Sequence, residues 1–258
     1  MNRSFLGNTL RRVVARLRGF QNLLLARKYG KALQAPCRQA EDYEWRLIEA
    51  GISEENFVYR DESWNHVKYM GVMGLADWLG YPDLPIDDGV PTTERVHFEN
   101  GDITIRSEEP SELRWVILKY RKPVGSVYAV EFTAKIDSVF TELQFAINWK
   151  SIAERDRFMI CNNRLLIFQN VWKSAFLRWL VEKPISLDFG KPVQFRIEVI
   201  EDTYSITIDQ KSEISFTLPS LPAAESGYFA FILFEKTSDR KILAKIQDFK
   251  VSRGVKKS

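Results

Sequence analysis

The sequence predicts a mainly β protein: an antiparallel two-sheet β-sandwich of the jelly-roll type, preceded by an α-helical N-terminal region. Three observations predict it. Val193–Ile200, Tyr204–Ile208 and Ile214–Leu218 alternate apolar with polar residues, separated by Glu201-Asp202 and Asp209-Gln210-Lys211. Such period-2 alternation in β-branched and aromatic residues marks half-buried strands. From residue 96 onward the same rhythm recurs in short segments with polar breaks, which points to a sandwich or barrel rather than a parallel sheet. Before residue 81 the apolar spacing is instead three to four, the helical period.

Residues 5–33 carry Phe5, Leu6, Leu10, Val13, Val14, Leu17, Phe20 and Leu24 at helical steps. Arg11, Arg12, Arg16, Arg18, Arg27 and Lys28 fill most of the other positions. Asn8 suits the start of this helix and Gly30 its end. The result is a basic amphipathic helix. It fits an anionic membrane surface, an organellar presequence, or packing of its apolar stripe on the acidic helical region that follows. Residues 39–51 read as a second helix, with Tyr43, Leu47 and Ile48 on one side and Gly51 as the stop. Ser53-Glu54-Glu55 resembles a helix start with acids in the first turn. Residues 64–80 read as a third, largely buried helix ending at Gly80. Pro82, Pro85, Gly89 and Pro91 exclude regular structure from 81–95, which is taken as a linker.

The predicted strands beyond it are 96–99, 102–107, 113–120, 127–137, 143–149, 157–161, 164–169, 176–181, 193–201, 203–209, 212–218, 227–236 and 242–252. Asn162-Asn163 suits a two-residue hairpin turn, because asparagine tolerates positive φ. Residues 253–258 form a basic tail. The predicted organisation is therefore a helical region over 1–80, a linker over 81–95 and a sandwich over 96–252.

Charge is distributed in blocks. Residues 1–40 hold nine Lys/Arg and no Asp/Glu, whereas residues 41–100 hold four Lys/Arg and fourteen Asp/Glu. Blocks of this kind mark interaction surfaces or neutralise one another within the fold. No stretch approaches the roughly 20 apolar residues of a membrane span. Cys37 and Cys161, the two cysteines, lie in segments of different character and do not suggest a disulfide framework. An intracellular, membrane-associated protein is expected, with a mitochondrial one as the alternative.

The order of strands from residue 127 to 252 resembles the concanavalin A-like lectin/glucanase superfamily, laminin G-like domains included. Val130–Ile136 followed by Leu143–Trp149 carries the resemblance, as do Ile206-Thr207-Ile208-Asp209, the Gly-led strand Gly227–Phe231 and the closing Asp248–Val251. The resemblance implies a sandwich that binds a ligand. It does not extend to the glucanases' Glu-x-Asp-x-x-Glu strand, which places the nucleophile and the acid on one face. Glu198 and Glu201 stand three apart, on opposite faces of a strand.

Clustered metal ligands, nucleophile elbows, phosphate loops and dinucleotide fingerprints are all missing from the sequence. His66 and His97 are isolated. Asp83, Asp87 and Asp88 offer oxygen ligands to calcium but match no calcium loop, and no cofactor is expected. The aromatic residues carry the remaining signal. Trp172, Arg178 and Trp179, with Asn148 and Trp149, form the candidate ligand site, since sugars stack on ring faces flanked by polar groups. The expected function is a non-catalytic module for a glycan or protein ligand, held to a membrane or a larger complex by the basic helix. A structural subunit of a complex is the first alternative. A glycoside-acting enzyme using Glu131, Glu142 or Glu198 is the second. No nucleic-acid motif accompanies the basic helix.

Overall fold

The computed structural model describes residues 40–63, 96–106, 114–136, 141–149, 155–161, 164–170, 178–185, 187–188, 190–217, 227–235 and 242–258. They form two antiparallel sheets. The first contains β1 (Tyr43–Ala50), β3 (Val96–Glu99), β4 (Asp102–Arg106), β6 (Val127–Ile136), β11 (Pro192–Ile200), β12 (Thr203–Ile208), β13 (Lys211–Thr217) and β15 (Ile242–Lys256). Its order is β13-β12-β11-β6-β15-β4-β3, with β1 paired to β15. The second contains β2 (Phe57–Ser63), β5 (Arg114–Tyr120), β7 (Thr141–Trp149), β8 (Arg155–Cys161), β9 (Arg164–Asn170), β10 (Arg178–Pro184) and β14 (Tyr228–Glu235). Its order is β10-β9-β8-β7-β14-β5-β2.

Every strand expected from residue 96 onward is present within a few residues of its predicted bounds. Two-residue turns close the hairpins. Asn100 and Gly101 between β3 and β4, and Asp209 and Gln210 between β12 and β13, all have positive φ. Paired positive φ gives the mirror-image turn whose twist matches that of the strands it joins. The pair Cys161↔Arg164 leaves two residues between β8 and β9, the spacing expected for Asn162-Asn163, which themselves lie outside the described residues.

The region before residue 96 requires a correction. The helix expected over 39–51 is strand β1, which pairs with the end of β15 from Tyr43↔Lys256 to Ala50↔Lys250. The helix start expected at Ser53 is one 3-10 turn, Glu54–Asn56, running directly into β2. Both strands belong to the sandwich, one in each sheet. The tail expected at 253–258 instead extends β15 as far as Lys256. The helices expected over 5–33 and 64–80 and the linker over 81–95 lie outside the described residues.

Between the sheets lies an aromatic core. Phe132 of β6 packs on Phe195 of β11 and against Phe145, Phe229 and Phe231 of the second sheet, at centroid separations from 4.9 to 6.4 Å. Phe57, Tyr120 and Phe249 continue the cluster. The Tyr120 hydroxyl donates to Glu49 (3.4 Å), whose carboxylate also accepts from Lys122 at 2.6 Å. Burial, and then the Glu49 charge, push the Tyr120 phenol well above its usual range, so it stays a neutral donor.

β15 changes face half-way along. Ala244 and Ile246 are buried on one parity, Phe249 and Val251 on the other. A bulge between Gln247 and Lys250 supplies the extra residue. Asp248 takes the left-handed conformation there, φ 54°, and its carboxylate accepts from Thr133 Oγ1 at 2.9 Å. A β-branched residue fits that conformation badly. Asp248→Val is expected to lower stability by about 2 kcal/mol, seen as a lower denaturant midpoint, whereas Asp248→Asn stays near wild type.

Candidate functional site

Two constellations stand out, one on each sheet. The first contains four of the residues expected from sequence, Asn148, Trp149, Arg178 and Trp179. Antiparallel pairing aligns Lys119, Ala230, Ala146, Arg157, Phe168 and Trp179 as successive Cα partners across β5, β14, β7, β8, β9 and β10. A neighbouring row runs Ile147, Asp156, Gln169, Arg178. Trp149 is the Cα partner of Tyr228. Asn148 and Trp149, at the end of β7, and Arg178 and Trp179, at the start of β10, therefore lie at the same end of the seven-stranded sheet. Three strand spacings separate them, about 14 Å. A bulge lies at each place, Tyr228/Ala230 and Trp179/Val181, and the second breaks the strict alternation expected for residues 176–181.

Lys119 and Tyr228 complete this end. Lys119 is buried, and its ammonium lies 4.6 Å from the centre of the Tyr228 ring, which is partly exposed. Cation and ring attract through the ring's quadrupole. Gln144, two residues before Ala146 on β7, is also buried. Sequence reasoning singled out neither Lys119 nor Tyr228. Trp172 falls in the connection between Asn170 and Arg178, outside the described residues, as do Arg11, Arg12, Arg16, Arg18, Arg27, Lys28, His66, Asp83, Asp87 and Asp88.

The second constellation lies on the outer face of the eight-stranded sheet. Arg196 of β11 is the Cα partner of Glu131 of β6. Its Nη1 donates to Glu131, and its Nε donates to Glu198 at 2.7 Å. The guanidinium stands 5.7 Å from the Trp45 ring centre. Trp45 and Tyr43 lie 6.5 Å apart, both partly exposed, above Gly254. Two of the three carboxylates considered for glycoside chemistry thus meet, while Glu142 belongs to β7 in the other sheet. Glu131 and Glu198 share one guanidinium rather than face each other across a gap for substrate. Among the described residues no three His, Cys, Asp or Glu side chains gather as a metal site.

No family model matches the sequence, and no curated protein matches it. Solved structures do resemble the fold. A protein of unknown function with a galectin-like fold from Bacillus subtilis aligns over 83% of this chain and 100% of its own, with TM-score 0.52 and 8% identity. The carbohydrate recognition domain of Emp47p covers 67% of this chain and 94% of its own, with TM-score 0.49 and 14% identity. Carbohydrate-binding module CBM66 from Bacillus subtilis covers 57% and 89%, with TM-score 0.41 and 12% identity. The sandwich is galectin-like in fold. The last two overlap less than the first.

Proposed function

We propose that the protein is a non-catalytic binding module whose ligand is a saccharide, taken at the end of the seven-stranded sheet. The observation that supports it is the register that brings Asn148 and Trp149 to the same sheet end as Arg178 and Trp179, beside Lys119 and Tyr228. Sugars present an apolar C–H face and a rim of hydroxyls. Aromatic rings match the first; amide, guanidinium and ammonium groups match the second. A sheet fixes the backbone positions that carry these groups, which lowers the ordering needed on binding.

Glycan-array screening of the full chain, followed by calorimetric titration of the best binder, tests the reading. Trp149→Ala and Trp179→Ala are each expected to weaken that binder about 30-fold, the loss typical of an aromatic anchor. Failure of the wild-type chain to bind any glycan removes the saccharide. Undiminished binding in both variants removes this end of the sheet.

A further inference from the structure

We infer that the outer face of β1 and the adjoining end of β15 form a docking surface for an anionic lipid bilayer. This surface is separate from the saccharide site and does not depend on it. Four observations converge. Leu47 and Ile48 are the exposed large hydrophobic residues among those described, 58% and 40% accessible. They adjoin each other at the bulge between Leu47 and Glu49. Leu47 continues the face of Tyr43 and Trp45, whose rings are fixed above Gly254 and remain partly exposed. Tyrosine, tryptophan and aliphatic residues in one stripe suit the boundary between headgroups and acyl chains.

Cations line this stripe. Lys250, Lys256 and Lys257 of the C-terminal strand and its end are exposed; Lys250 and Lys256 are Cα partners of Ala50 and Tyr43 and share the outer face, whereas Arg253, the partner of Arg46, lies on the other face. The acids nearby have partners: Glu44 pairs with Arg46, Glu49 with Lys122, and Glu131 and Glu198 with Arg196. Glu41 and Asp42 are exposed at the start of β1 and oppose the effect locally. The Lys257 amide donates to the Asp42 carbonyl at 2.9 Å, which fixes the C-terminal lysines where the chain enters β1. The segment that arrives there, residues 1–39, has nine Lys/Arg and no acids. The basic C-terminal end thus lies beside the exposed apolar stripe, at the point where the described chain begins. Each cation near an anionic surface contributes modestly, and the sum is salt-sensitive.

The test is co-sedimentation of the full chain with phosphatidylcholine vesicles, and with vesicles that also contain phosphatidylserine. Binding is expected only to the anionic vesicles and is expected to weaken at high salt. The double variant L47S/I48S, exposed and therefore foldable, is expected to bind about tenfold more weakly. Lys250→Glu with Lys256→Glu is expected to do the same, with the melting temperature of each variant unchanged. Equal binding by L47S/I48S overturns the inference, because residues 1–39 would then suffice. Equal binding to both vesicle types also overturns it. So does a wild-type dimer that L47S/I48S converts to monomer without any change in vesicle binding, since the stripe would then serve a second copy of the chain.

Discussion

Phe132→Ala is expected to destabilise the protein by about 4 kcal/mol, against a total of roughly 5–15 kcal/mol for a domain. Phe132 is 1% exposed and touches rings from both sheets: Phe195 beside it, and Phe145, Phe229 and Phe231 across the interface. The ring contacts to Phe231 and Phe229 lie at 4.9 and 6.4 Å. Truncation removes the transfer energy of a benzyl group and leaves a hole lined by other rings. Collapse into that hole would need two hydrogen-bonded sheets to move together, so relaxation recovers little. Urea unfolding followed by fluorescence should show the midpoint falling by this amount, with Phe132→Leu losing less than half as much. Leu47→Ala, at an exposed position, should leave the midpoint within about 0.5 kcal/mol of wild type. Equal midpoints for Phe132→Ala and Leu47→Ala would mean that the aromatic cluster is not the centre of the fold.

The fold beyond residue 96 was legible because one face of nearly every strand is core and the other is not. Phe132, Ala134 and Ile136, or Phe195, Ile197 and Val199, announce themselves by alternation alone. The strand between 43 and 50 was not legible, and its bulge explains why. Tyr43, Trp45 and Leu47 alternate correctly, but Ile48 is the extra residue and Glu49 resumes on the opposite face. Tyr43, Leu47 and Ile48 then fall at steps of four and one, which imitate a helical stripe. The same offset at Asp248 did no harm, since flanking strand signals on both sides were strong.

The candidate sites were legible only in part. Trp149 and Trp179 stood out as aromatic residues near polar ones, but their position at one sheet end depends on pairing across β8 and β9. Lys119 and Tyr228 carry no local mark; they meet only because Ala230 is opposite Lys119 in the register. Glu131, Glu198 and Arg196 form a triad only when β6 and β11 align Glu131 with Arg196, residues far apart along the chain. Trp45 joins them through a strand that helical periodicity had concealed. Alternation reveals which face a side chain takes. It does not reveal which strands are neighbours.

Gly254→Val is expected to detach β1 from the sheet. Glycine inside a strand ordinarily weakens it, and replacement by alanine ordinarily stabilises by roughly 0.5–1 kcal/mol. Here the sign reverses. A Cβ at Gly254 would stand 2.5 Å from Val127 Cγ1, 3.3 Å from the Trp45 ring and 3.4 Å from the Tyr43 ring. Val127 is β-branched and has little rotamer freedom with which to withdraw. The least constrained neighbour is β1, which pairs with no other described strand than β15. It therefore moves, and Tyr43 and Trp45 move with it. Gly254→Ala should cost about 1 kcal/mol and Gly254→Val about 3 kcal/mol, as overpacking does. Hydrogen exchange localises the damage: amides of residues 43–50 should lose protection in Gly254→Val while those of β6 and β11 keep theirs. Adding Val127→Ala should restore part of the loss in Gly254→Ala, because the 2.5 Å contact is then absent. A Gly254→Ala protein more stable than wild type would show that the rings do not rest on this glycine. The outer face of β1 would then lack the fixed aromatic pair on which lipid docking depends.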